Sequence, residues 1–100
     1  MDTQETAGRL ETLANVTRLE IFQHLCSAGK SGLTVGIIKD KVDVPASTLS
    51  HHIGKLVAGG LVEQKRNGRR LICTAKQDQI DELVLHLANE YCGEDSSIWG

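Results

Sequence analysis

The chain has 100 residues, 40% of them apolar and 24% charged, with a formal charge of −2. That length supports one domain with a single modest core, and no apolar run approaches the roughly 20 residues of a membrane-spanning helix. Phe22, Tyr91 and Trp99 are the only aromatic residues, too few for a base-stacking platform on single-stranded nucleic acid. The opening MDTQETAG is acidic and polar, unlike a secretory signal. The three cysteines are therefore expected as reduced thiols in a cytoplasmic protein.

In chain order, residues 3–14 predict a helix with Leu10, Leu13 and Ala14 on one side, weakened at Gly8 by about 1 kcal/mol relative to alanine. A helix that short must pack on something to persist. Asn15 to Ala28 predicts a second helix, started by Asn15 or Thr17. Its broad apolar face is Leu19, Ile21, Phe22, Leu25 and Cys26, and Gly29 closes it. His24 lies off that face and reads as a surface or interface residue. After Gly32, Leu33-Thr34 opens a third helix with Thr34 as its cap and Val35, Ile37, Ile38 and Val42 turned to the core.

A turn at Asp43-Val44-Pro45 leads into a fourth helix. Leu49, Ile53, Leu56 and Val57 form its apolar face, while Ser47, Thr48, Ser50, His51 and Lys55 form its polar face. Two short helices joined by a tight turn make a helix-turn-helix, and the second is narrow enough to enter the major groove of a duplex. Gly59-Gly60 ends it. Two strand-like runs follow, Leu61–Arg66 and Arg69–Thr74. The Asn67-Gly68 between them is expected to form a type I′ hairpin turn. A last helix, Ala75 to Cys92, carries a wide stripe of Ile80, Leu83, Val84, Leu87, Ala88 and Tyr91, more than a small monomer usually hides. With the weak first helix it suggests a homodimer interface. The fold class is thus mainly α with a small β-hairpin, a winged helix-turn-helix. Residues 1–92 form the DNA-binding and dimerisation domain, and 93–100 a mobile tail.

The overall charge hides a strong asymmetry. Residues 47–70 hold Lys55, Lys65, Arg66, Arg69 and Arg70 against the single acid Glu63, a local +4, and the remainder of the chain is −6. Basic charge is concentrated where a duplex would lie, so double-stranded DNA is the expected partner.

The stretches LANVTRLEIFQHL, VPASTLSHHIGKLVAGGLV and RNGRRL make the chain resemble the ArsR/SmtB transcriptional repressors over roughly residues 9–92. The resemblance implies a homodimeric repressor, paired through its first and last helices, that leaves its operator when an inducer binds. It assigns Ser47, Thr48, Ser50 and His51 to the groove, and Lys55, Arg66, Arg69 and Arg70 to phosphate or minor-groove contacts. Hydroxyls and imidazole can read base edges, whereas flexible cations mainly position the protein on the backbone.

AGKSGLTVGIIKDKVDVPASTLSHHI looks most like the arsenical-responsive branch. That branch implies two adjacent cysteines at the end of the last helix, where this chain has Tyr91-Cys92, with one thiol. The features of the zinc-sensing members are missing: Asp81 is followed by Glu82 and Leu83, and His86 stands alone. His51 and His52 are neighbours on a helix, about 100° apart, and cannot readily share one ion. Trivalent arsenic and antimony are thiophilic, and thiolates are their natural ligands. Cys73 and Cys92 flank the last helix and are about 22 Å apart along it, so a metalloid site would use Cys73 of one subunit and Cys92 of its partner. The alternative, implied by oxidant- and persulfide-responsive relatives, is an internal Cys26–Cys92 crosslink, which needs Cα atoms within about 7 Å.

An enzyme reading lacks parts: there is no Gly-rich phosphate loop, HExxH or nucleophile elbow. A protein–protein adaptor built on the same fold would have no need of Arg66, Arg69 and Arg70 together.

Overall fold

The computed structural model describes residues 1–91. The expected tail, 93–100, and Cys92 lie outside the described residues. Helix α1 (Thr3–Leu13) begins at Asp2, whose carboxylate accepts a hydrogen bond from the Glu5 N–H at 2.8 Å. Helix α2 (Val16–Ala28) begins at Asn15, whose side-chain oxygen accepts from the Arg18 N–H at 3.0 Å. Of the two proposed caps, Asn15 is the one used. After a single 3-10 turn at Gly29–Ser31 come strand β1 (Leu33–Thr34) and helix α3 (Val35–Val42), capped by Thr34. Helix α4 (Ala46–Ala58), strands β2 (Val62–Asn67) and β3 (Arg70–Ala75), and helix α5 (Gln77–Tyr91) complete the order.

The α3–α4 junction is tight for local reasons. Asp43 takes up a left-handed conformation (φ 47°) at the end of α3. Pro45 then disfavours helix at the residue before it, and its carbonyl accepts the first α4 bond, from the Leu49 N–H at 2.9 Å. At the far end of α4, the Gly60 N–H bonds the Val57 carbonyl and the Leu61 N–H bonds the Leu56 carbonyl. Gly60, at φ +77°, makes this paired closure possible.

Two sequence expectations change here. Leu33-Thr34 is a strand rather than the start of α3: it pairs antiparallel with β3, Leu33 opposite Cys73 and Thr34 opposite Ile72, so the wing is a three-stranded sheet in the order β1-β3-β2. Two residues carry no readable periodicity, and the pairing depends on Gly32 bringing the backbones together. The hairpin turn is also displaced by one residue. Asn67 pairs with Arg70, so the loop is Gly68-Arg69. Among the described non-glycine residues only Asp43 has positive φ, and Gly68 has φ +66°. A positive φ at the first central residue alone fits type II′ rather than type I′.

The core cluster joins Ile21, Phe22 and Leu25 of α2 to Leu49, Ile53 and Leu56 of α4, with Ile38, Leu61, Val62 and Cys73 closing it. Each such aliphatic side chain contributes about 1.5–3 kcal/mol by leaving water. Leu19, Ile37 and Val57, expected inside, are 40%, 45% and 37% exposed. Each lies at the edge of its helix's apolar arc, and the inward direction is set by Ile21 and Leu25, by Ile38, and by Leu49, Ile53 and Leu56. Leu83 and Ala88 of α5 and Thr6 of α1 are buried outside that cluster, and the Arg9 guanidinium reaches from α1 to the Gln79 carbonyl of α5 at 3.4 Å. Leu10, Val84, Leu85 and Tyr91 remain exposed on these two helices. No described helix is long and apolar enough to cross a membrane.

Two glycines predict opposite effects in urea denaturation. A Cβ on Gly32 would collide with the Cys73 carbonyl and the methyls of Ile72 and Thr74, at a φ of +69°. Gly32→Ala is expected to lose about 2 kcal/mol or more. Gly54, inside α4, has nothing within 4 Å of such a Cβ, so Gly54→Ala is expected to gain about 0.5–1 kcal/mol.

Candidate nucleic-acid interface

With Leu49, Ile53 and Leu56 buried, the period of the helix turns Ser47, Thr48, Ser50, His51 and Lys55 outward, and all five are exposed. Arg66, Arg69 and Arg70 of the wing are also exposed. Two clefts flank α4. One, of about 790 Å³, brings Ser50 and Gly54 together with Arg69 and Arg70 of the wing and with Gly36 and Ile37 of α3. The other, of about 530 Å³, joins Ser50, His51 and Lys55 to Gly8 and Thr12 of α1. Ser47 and Thr48 line neither and stand at the free start of α4. Arg66 lines a separate cleft on the wing's other side, so the structure does not gather the three wing arginines in one place.

The charge on this face is largely unanswered. Among the described residues the one ion pair is Lys65 Nζ with Glu63 at 3.6 Å, and both side chains are well exposed, which makes the pair nearly neutral energetically. No carboxylate lies within ion-pairing distance of Lys55, Arg66, Arg69 or Arg70 among the described residues.

Arg18 is the residue that sequence reasoning missed. Its Nε donates to the Thr12 carbonyl at 2.6 Å, its Nη2 to the Glu11 carbonyl at 3.3 Å, and its Nη1 to His52 Nδ1 at 3.5 Å. One guanidinium therefore closes the end of α1 and ties it to α4. The signal was its place: a cation in the first turn of a helix works against the local dipole, so it needs a partner elsewhere, here the negative end of α1.

His52 makes an internal polar contact with Arg18. Because arginine can only donate, His52 Nδ1 accepts, which requires the unprotonated nitrogen. Partial burial holds the imidazole below its ordinary value, reinforced by the charges of Arg18, His51 and Lys55.

The cysteines are placed differently from one another. Cys73, in the central strand, has no exposed surface, and its sulfur accepts a hydrogen bond from Gln64 Nε2 at 3.5 Å. Burial pushes its thiol up, opposed in part by that bond. Cys26 is half-buried, and its thiol is pushed up by burial and then by the charge of Asp81. A soft ligand at Cys73 would therefore have to open the sheet or enter through the core. Cys92, the partner of both expected pairings, lies outside the described residues. Among the described residues no group of three or more His, Cys, Asp or Glu side chains is placed to hold a metal ion.

A helix-turn-helix domain family profile matches residues 13–65, α2 through most of β2. The nodulation protein NolR of Rhizobium meliloti is 32% identical over 95 residues, 95% of this chain and 75% of that protein. A biofilm growth-associated repressor of Agrobacterium fabrum is 27% identical, covering 94% of this chain and 78% of its own. An ArsR-like transcriptional regulator from Rhodococcus sp. RHA1 superposes with a TM-score of 0.74 at 25% identity, over 84% of this chain and 76% of that one. The chain belongs to the ArsR family of winged helix-turn-helix regulators. Members of this family are DNA-binding transcriptional regulators, and the chain is a regulator rather than an enzyme.

A depressed pKa at His52 has a defined consequence. The unfolded chain takes up the proton first, so this group leaves stability unchanged above about pH 6.5 and lowers it as the pH falls through that value. His52→Gln keeps an acceptor for Arg18 and cannot be protonated there. Urea midpoints between pH 7.5 and 5 are expected to fall less steeply for His52→Gln than for the wild type.

Proposed function

We propose that this protein is a homodimeric repressor that grips an operator with α4 in the major groove and its wing alongside. Ser47, Thr48, Ser50 and His51 read base edges, and Lys55, Arg66, Arg69 and Arg70 hold phosphate or the minor groove. The observation that carries this is the exposed, unneutralised face on which Ser50 shares one cleft with Arg69 and Arg70. The repressor sense is supported by the biofilm growth-associated relative. Dimerisation through α1 and α5 is supported by their shared exposed apolar residues, Leu10, Val84, Leu85 and Tyr91. A twofold arrangement would set two α4 helices about 34 Å apart, one duplex turn.

Release is proposed to act through sulfur. In the metalloid form of this reading, trivalent arsenic or antimony is taken by Cys73 and the other subunit's Cys92. In the crosslink form, Cys26 and Cys92 join on oxidation. Access favours the second, because Cys26 is half-buried and Cys73 is sealed. Asp81, close enough to act on Cys26, precedes Tyr91 by ten residues on α5, or about 15 Å. That separation favours a crosslink between subunits over one within a chain.

Fluorescence anisotropy with a duplex of the regulator's own promoter tests the grip. Arg69→Ala and Arg70→Ala are each expected to weaken binding and to lower the slope of log affinity against log salt by about one. Unchanged affinity and slope would remove the wing from the interface. For release, antimonite or a polysulfide donor is added to the complex with wild type, Cys73→Ala and Cys92→Ser. The metalloid form predicts that antimonite fails on both variants. The crosslink form predicts a covalent dimer on a non-reducing gel that Cys92→Ser abolishes. Release by both reagents in both variants would contradict either form.

A further inference from the structure

A third cleft, of about 660 Å³, lies on the wing face turned away from α4, between that sheet and the end of α2. Side chains alternate along a strand: Gln64 and Cys73 pair and face inward, so their neighbours Lys65 and Ile72, which also pair, face this cleft. Its floor is apolar, built from Ile72 and Ala75 with Thr74 beside them, over the fully buried Leu25. Its rim is cationic. Lys30 comes from the turn after α2, and Lys65 and Arg66 come from β2. Among the described residues Lys30 and Arg66 have no carboxylate within ion-pairing distance, and Lys65 has only the exposed Glu63. The Asn67 and Gln77 amides add polar groups at the edge, and Cys26 forms part of the wall.

A concave, mostly apolar space of this size with a few converging polar groups is the usual form of a small-molecule site, for which about 300–1,000 Å³ is typical. Three cations on the rim select a negative charge. The apolar floor selects against a bare inorganic anion, which would leave Ile72 and Ala75 uncovered. We propose that the cleft binds a small organic acid, an aromatic or branched aliphatic body carrying one carboxylate, and that its occupancy weakens DNA binding. The coupling follows from the shared wing: a carboxylate held by Lys30 and Lys65, beside Arg66, neutralises cationic charge on the strand that leads into the Gly68-Arg69 loop. This rests on the DNA-binding reading above and adds a second, non-covalent input to it.

Cys26 provides a readout independent of DNA. The reduced wild-type protein is treated with iodoacetamide with and without 1-naphthoate, and modification of each thiol is followed by peptide mass. 1-Naphthoate is expected to slow alkylation of Cys26 saturably, whereas 1-naphthylmethanol and inorganic phosphate leave it unchanged. Lys30→Glu, in the turn after α2 and outside the residues assigned to DNA, is expected to abolish the protection and to retain DNA affinity. At saturating 1-naphthoate, duplex affinity is expected to fall about fivefold or more. No protection by 1-naphthoate, or equal protection by the neutral alcohol, would overturn the site. Protection with unchanged duplex affinity would overturn the coupling. A protein that binds no duplex under any condition would overturn the DNA reading while leaving the protection result standing.

Discussion

The seating of α4 on α2 is the constraint on which the rest depends. Leu49, Ile53 and Leu56 recur on one side of α4 and meet Ile21, Phe22 and Leu25 of α2 in the core. Once those side chains leave water, the rotation of α4 is fixed, because turning it by one residue would expose an isoleucine and bury a serine or a histidine without partners. The polar stripe is therefore aimed by hydrophobic burial alone. The same seating orients the wing, since the paired bonds at Gly60 and Leu61 carry the chain from the end of α4 directly into β2. Arg18 adds a polar clamp, holding α1 and α4 to the start of α2 through bonds to Thr12, Glu11 and His52.

Much of this was legible in the residues. The five helices, the hairpin and the outward set of Ser47, Thr48, Ser50, His51 and Lys55 follow from periodicity, glycine placement and Pro45. What escaped depended on contacts between distant parts of the chain. Strand β1 is two residues long and exists only because β3 lies beside it and Gly32 permits the approach. The turn moved by one residue because cross-strand pairing, not the Asn-Gly dipeptide, chose the register. Leu19, Ile37 and Val57 satisfied an apolar pattern, but each helix has only a limited arc in contact with its neighbours. The separation of Arg66 from Arg69 and Arg70 into different clefts is concealed by adjacent basic letters in a sequence.

The thiols show most clearly what a sequence alone leaves open. Counting them suggests a ligand set, but their surroundings differ: Cys73 is an interior group of the sheet, and Cys26 borders a cationic cleft. Burial raises both thiols and so disfavours the reactive thiolate at each. Any sulfur-based release must overcome that cost by binding a soft ligand or by movement of the sheet. A regulator that joins Cys26, Lys30 and Arg66 around one apolar cleft has a second way to couple a small molecule to its wing.

The central claim is that α4 and the hairpin loop form the surface that meets DNA. Backbone amide NMR shifts of the 15N-labelled protein, followed during titration with its promoter duplex, test it most directly. The account expects the largest changes at Ser47 to His51 and at Gly68 to Arg70, with the solvent side of α2 around Glu20 unmoved. Changes centred on α2, with α4 and the loop silent, would contradict it.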